Sequence, residues 1–277
     1  LRKNLGKKNC ELGPADIDRV MAAYNAIEES EHAKVFANEA FGYWKLTVER
    51  PLRLNSRITP SAITALRTVS GDKEIREAAL EQFGDALVAD FAAVRPQLEA
   101  FLDDWGSEEA GDDEEGDEPP KRGIPEKRRK KLLDGATWQR DEQLAVAAEA
   151  LRELFGDELF TDHNHFRAEV LKGLKLQGLK LTAADLKPLL KETSWREEEA
   201  PPVIAKVYKP SKVEADPLHG RYEAEIGGKA CVVEYEPDVD LRDSEQVPLL
   251  EEGGIEAFIR REVLPYTPDA WVNAEAT

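Results

Sequence analysis

Tyr222-Glu223-Ala224-Glu225-Ile226-Gly227-Gly228-Lys229-Ala230-Cys231-Val232-Val233-Glu234-Tyr235 is the stretch that sets the fold class. Its two strand-like runs, Tyr222 to Ile226 and Ala230 to Tyr235, are joined by a Gly-Gly pair suited to a tight hairpin turn. A further strand, Val203 to Tyr208, follows the break at Pro201-Pro202. Upstream the periodicity is helical. Thr137 reads as the cap of a helix carrying Leu144, Ala148, Leu151 and Phe155, and Asp162 as the cap of one carrying Phe166, Val170 and Leu174. Thr182 with Asp185 forms a capping box for a short helix through Leu189 and Leu190. Downstream, a last helix from Ile255 to Val263 ends before Pro265. Helices followed by a hairpin predict an α+β fold, mostly helical with a small antiparallel sheet.

Toward the other end, Gly13-Pro14 opens a helix whose apolar positions Ile17, Val20, Met21, Tyr24 and Ile27 predict one packed face. Phe41 to Leu54 reads as a strand, with Pro51 near its end. Leu80, Phe83, Leu87, Phe91, Val94, Leu98, Phe101 and Trp105 recur at intervals of three and four, which predicts one long amphipathic helix, bent at Pro96. Few other elements of this part could cover it, so Leu87 and Phe91, with Phe41, Tyr43 and Trp44 of the strand, are candidates for a partner interface.

Charge is unevenly placed. The formal net charge is -18, and ten carboxylates lie between Asp103 and Glu118 with no base among them. Residues 106–120 lack apolar periodicity and read as a mobile linker. Residues 121–131 invert the sign with Lys121, Arg122, Lys127, Arg128, Arg129, Lys130 and Lys131. This density fits either contact with DNA phosphate or an electrostatic partner for the neighbouring carboxylates. The expected divisions are therefore 1–105, a linker over 106–136, and 137–277. Cys10 and Cys231 have no metal-ligand spacing and suit a reduced, cytoplasmic protein. No apolar run is long enough to span a membrane. A chain that opens on Leu1 reads as a fragment.

Phe36-Ala37-Asn38-Glu39-Ala40-Phe41-Gly42-Tyr43-Trp44-Lys45-Leu46-Thr47-Val48-Glu49-Arg50-Pro51-Leu52-Arg53-Leu54 resembles the stretch that follows the catalytic domain in modification subunits of type I restriction-modification systems. Leu1 to Gly6 is similar to the exit from that domain. Tyr235-Glu236-Pro237-Asp238, Leu241-Arg242-Asp243, Val247-Pro248-Leu249, Arg261 to Pro265 and Pro268-Asp269-Ala270-Trp271 are similar to the family's closing segment. The middle of the chain carries no such likeness. The resemblance implies S-adenosylmethionine-dependent methylation of adenine N6 in DNA, in a complex with specificity and restriction subunits. The family's Asn/Asp-Pro-Pro-aromatic motif, which holds the flipped adenine, has no counterpart. Pro119-Pro120 and Pro201-Pro202 have the wrong neighbours, and no Gly-rich loop follows a strand. The resemblance therefore implies a C-terminal partner-binding and structural region that contacts its own catalytic domain, with no catalytic, cofactor or metal residue of its own and no methylation when alone. In the whole subunit the Phe41 to Leu54 strand is expected to dock on the methyltransferase sheet, leaving an unpaired edge here. The alternatives are a DNA-clamping module acting through 121–131 and an unrelated scaffold.

Three smaller constellations read as structural. His163-Asn164-His165 is expected to be a helix start rather than a metal or nuclease site. Glu234, Glu236, Asp238 and Asp240 would share one solvated strand face. Arg50 beside Glu49 reads as an exposed ion pair.

Overall fold

A computed structural model describes residues 12–31, 33–108 and 124–273. In chain order the elements are α1 (Pro14–Ala26), β1 (Tyr43–Glu49), β2 (Leu54–Ser56), α2 (Pro60–Leu66), α3 (Lys73–Phe83), α4 (Ala86–Ala89), α5 (Phe91–Glu108), α6 (Glu126–Leu132), α7 (Gly135–Phe155), α8 (His163–Leu176) and α9 (Ala183–Glu192). They continue with β3 (Ser194–Arg196), β4 (Ile204–Tyr208), β5 (Arg221–Ile226), β6 (Lys229–Tyr235), β7 (Asp243–Pro248), α10 (Gly254–Phe258) and β8 (Trp271–Val272). The class is α+β, mostly helical with small antiparallel sheets. Among the described residues no helix is long and apolar enough to cross a membrane.

The chain divides into two compact units, one of residues 1–51 with 207–277 and the other of residues 52–206. The second cut falls inside β4. The segments on either side of 109–123 belong to the same unit, so the units part at Pro51 and Lys206 rather than in the charged run. Of the expected linker, 106–108 continue α5 and 109–120 lie outside the described residues.

In the discontinuous unit, β1 is the middle strand of a three-stranded sheet ordered β7-β1-β8. It runs antiparallel to β7 from Tyr43↔Pro248 to Val48↔Asp243, and to β8 at Val48↔Val272 and Glu49↔Trp271. The expected unpaired strand is thus internal to its own sheet. The alternation of β1 sends Leu46 and Val48 inward onto Val247, Ile259, Val263, Ala270 and Val272. Ile259 and Val263 lie on a single wider, π-type turn that continues α10. Glu49 is buried between Arg242 at 2.9 Å and the Asn273 amide at 2.8 Å, while Arg50 approaches Asp269 at 3.7 Å; the two neighbours do not pair with each other. The hairpin β5–β6 turns at Gly227 and Gly228, both at positive φ, as the pair predicts.

The continuous unit has two cores. One gathers Ile63 and Leu66 of α2, Leu144, Ala148 and Leu151 of α7, Phe166 and Val170 of α8, and Leu189 of α9. Asp162 caps α8 at the Asn164 N–H (2.8 Å), and Thr182 and Asp185 form the expected box on α9. Helix α7 starts earlier than expected, capped by Asp134 instead of Thr137. The second core joins Ile75 and Ala79 of α3, Leu87 of α4, Val94, Leu98 and Leu102 of α5, Leu132 of α6 and Trp138 of α7. The long helix expected over 80–105 is three helices. Gly84, at φ 55°, ends α3, and Asp90 separates α4 from α5, so the chain folds back and buries its own apolar stripe.

Candidate functional site

In the discontinuous unit the candidate surface is α1 with the entry to β1. Gly13 enters α1 in an extended conformation, Pro14 fits the first turn, and Asp16 reaches back to the Gly13 N–H at 3.2 Å. The helix carries the predicted stripe, but no residue of α1 is buried. Ile17, Val20, Met21 and Tyr24, with Ile27 just beyond, are 48 to 78 % exposed. The predicted packed face of this helix is not covered by any described element. Phe36 and Phe41 meet edge to face at 5.7 Å and are themselves exposed, as are Tyr43 and Trp44 at the start of β1. These aromatics are outside the core, unlike Leu46 and Val48, two and four residues beyond Trp44.

Leu87 and Phe91 are elsewhere. Leu87 is fully buried, and the Phe91 ring lies against Gly135, where an added Cβ would come within 2.8 Å of it. The expectation that they offer an uncovered face is corrected: the folding back of α3, α4 and α5 covers them, and α6 and α7 close the core.

Within the basic run, Lys121 and Arg122 lie outside the described residues, and Lys127 to Lys131 form most of α6. Three of these side chains face carboxylates of the same unit. Arg128 lies 3.4 Å from Asp72, Arg129 2.7 Å from Asp103, and Lys130 3.5 Å from Glu126. Lys127, Arg128 and Lys131 also border a pocket of about 230 Å³ whose other wall is the turn Ser70-Gly71-Asp72 and Arg76.

Behind that turn is a charge network that the sequence did not mark. Arg76 and Asp141 are both buried and pair at 2.7 Å. Asp141 also accepts the Ser70 N–H at 3.1 Å and the Ser70 hydroxyl. The Arg76 guanidinium lies 3.6 Å over the Trp138 ring, whose indole N–H donates to the Leu132 carbonyl at 2.8 Å. Arg140 bonds Ser70 at 3.0 Å and Asp185 at 2.7 Å. Burial is the largest influence on both members of the pair, lowering the Arg76 pKa and raising that of Asp141 against the pull of their mutual attraction. The pair is held at a desolvation cost, so loss of one partner is severe. Arg76 and Asp141 stand 65 residues apart on helices whose apolar periodicity alone is visible in sequence.

No family model, curated protein or solved structure matches this chain.

The remaining constellations are structural. His163 Nδ1 shares hydrogen bonds with the Ser56 hydroxyl at 2.9 Å and the Ser194 hydroxyl at 3.2 Å. Ser56 is fully buried, so this hydroxyl-imidazole contact ties β2 and β3 to α8 instead of facing a substrate. Burial first, then Arg167, lowers the His163 pKa to about 4. Asn164 clamps the chain after Pro201, donating to the Pro202 carbonyl at 2.9 Å and accepting the Ile204 N–H at 2.8 Å. The expected helix start at 163–165 is what the structure has. Strand β6 ends at Tyr235, so Glu236, Asp238 and Asp240 do not continue one strand face. Asp238 is buried and accepts the Asp240 N–H at 3.0 Å. Among the described residues no group of three or more His, Cys, Asp or Glu is placed to hold a metal.

Proposed function

We propose that this chain is a C-terminal partner-binding and structural region of a type I restriction-modification methyltransferase subunit, cytoplasmic, whose parent complex methylates adenine N6 in DNA with S-adenosylmethionine. The observation that carries the docking role is the apolar face of α1, uncovered among the described residues, which a lone 13-residue helix would not keep exposed without a partner. The family reading gains support from the sheet. Its middle strand comes from the stretch that resembles the post-catalytic segment, and both flanking strands come from the stretch that resembles the closing segment. The part of the chain without that likeness includes the whole continuous unit beyond Leu54, inserted between them. By the same resemblance α1 follows directly on the catalytic domain, so the catalytic domain is its occupant, with specificity and restriction subunits joining the larger complex.

Val20→Asp and Tyr24→Asp test this by co-purification with a separately expressed catalytic domain. Both positions are exposed, so circular dichroism should be unchanged while capture of the catalytic domain falls at least about tenfold, the loss that roughly 1.4 kcal/mol of interface energy produces. Full capture by both folded variants refutes the docking surface. Loss of capture of the specificity subunit alone would move the occupant. The DNA-clamping alternative keeps one favourable observation, the placement of Lys127 and Lys131 on a pocket.

A further inference from the structure

We propose that the pocket between the Ser70-Gly71-Asp72 turn and α6 binds a single phosphate group. This inference deepens the DNA-phosphate reading and is independent of the docking role of α1. Arg76, Lys127, Arg128 and Lys131 border the pocket. Two carboxylates oppose them, Asp72 facing Arg128 and Asp141 held by Arg76, so positive charge is in excess.

Arg76 decides what kind of ligand fits. Its side chain is 1 % exposed and its Nη2 is committed to Asp141, but its Nε and Nη1 are buried without an acceptor in the protein. Unmet buried donors are expensive, and charged ones most of all. Arg76 is part of the pocket lining, and a planar guanidinium suits phosphate. The same wall carries the start of α3, where Asp72 makes no side-chain capping bond. The positive end of the helix dipole favours an anion near it. A volume of about 230 Å³ accommodates a phosphate and its immediate substituent, not the face of a duplex. Arg129 and Lys130, turned to Asp103 and Glu126, take no part.

The group could be a free phosphate or one projecting from a DNA backbone, and two probes on the full chain separate these sources. In the first, inorganic phosphate is titrated against sodium chloride of matched ionic strength while thermal unfolding is followed. Saturation is expected to raise Tm by about 3 °C beyond chloride. In the second, binding of short duplex DNA is measured with and without competing phosphate. Lys127 and Lys131 are exposed, so Lys127→Ala/Lys131→Ala should fold and lose the response, Lys127→Gln/Lys131→Gln provides a second charge-free variant, and Lys130→Ala should retain it. A response to phosphate alone identifies a free phosphate, and duplex binding that phosphate displaces identifies the DNA backbone. Absence of both responses, or their survival in the two double variants, overturns the site.

Discussion

Replacing Asp141 by Asn should be among the most damaging single changes available to the continuous unit. The substitution keeps the shape and an acceptor for the Ser70 N–H, removes the charge that faces Arg76 at 2.7 Å, and turns the oxygen that accepts from the Ser70 hydroxyl into an amide NH2. The guanidinium then stays in the core, against Trp138, without a counter-ion. Breaking a buried pair in this way costs about 3 to 5 kcal/mol, which for a unit of this size is a fall in Tm of roughly 6 to 20 °C. Arg76→Met/Asp141→Asn removes both charges while keeping the Ser70 N–H bond, and it should recover at least about 2 kcal/mol relative to the two single changes added together. The assay is urea unfolding followed by circular dichroism, with hydrogen exchange on α3 and α7 to assign the loss to this unit. A cost below about 1 kcal/mol for Asp141→Asn, or strict additivity in the cycle, would show that Arg76 finds compensation elsewhere.

Three further outcomes are expected. His163 binds its proton near pH 4 in the fold and near 6.5 when unfolded, so the unfolded state holds more protons between those values. Its contribution is complete above pH 6.5 and is lost as the pH falls toward 4, by at most about 3 kcal/mol. Unfolding of the protein and of His163→Asn across that range should diverge accordingly, and parallel curves would contradict it. Gly220, at φ 77°, would place a Cβ 2.9 Å from the Trp271 ring, so Gly220→Ala should cost about 1 to 3 kcal/mol, read by denaturant unfolding, with near-ultraviolet circular dichroism reporting the displaced indole. Arg242→Ala leaves the buried Glu49 carboxylate with the Asn273 amide and without the cation that pairs with it, and chemical denaturation should register a loss of about 1 to 3 kcal/mol.

The parts of the fold that were legible had local signals. Gly227-Gly228 turned where a hairpin required it, and Asp162 and the Thr182/Asp185 box started the helices they marked. Where two readings shared one pattern, the sequence misled. Spacings of three and four from Leu80 to Trp105 persist across Gly84 and Asp90, so three helices look like one. An apolar stripe also does not say what lies over it. Leu87 and Val20 have equivalent patterns, yet one is fully buried and the other about half exposed. Strand β7 turns a single buried apolar residue, Val247, inward, and β8 is only Trp271 and Val272, so neither had a visible period. The basic run was evident, whereas Asp72, Asp103 and Arg76 reach it through tertiary folding alone.

The sheet around β1 also sets a timetable for synthesis. Val48 pairs with Asp243, so about 195 residues must be made before that partner exists, roughly 10 to 40 s at 5 to 20 residues per second. The continuous unit can close first, since the Val203 N–H meets the Leu52 carbonyl at 2.8 Å and brings its two ends together. During that interval Leu46 and Val48 have none of their sheet neighbours, and a newly made chain is most exposed to aggregation through this strand. A ribosome-bound chaperone that shields β1 would therefore act on yield without touching the stability of the finished protein.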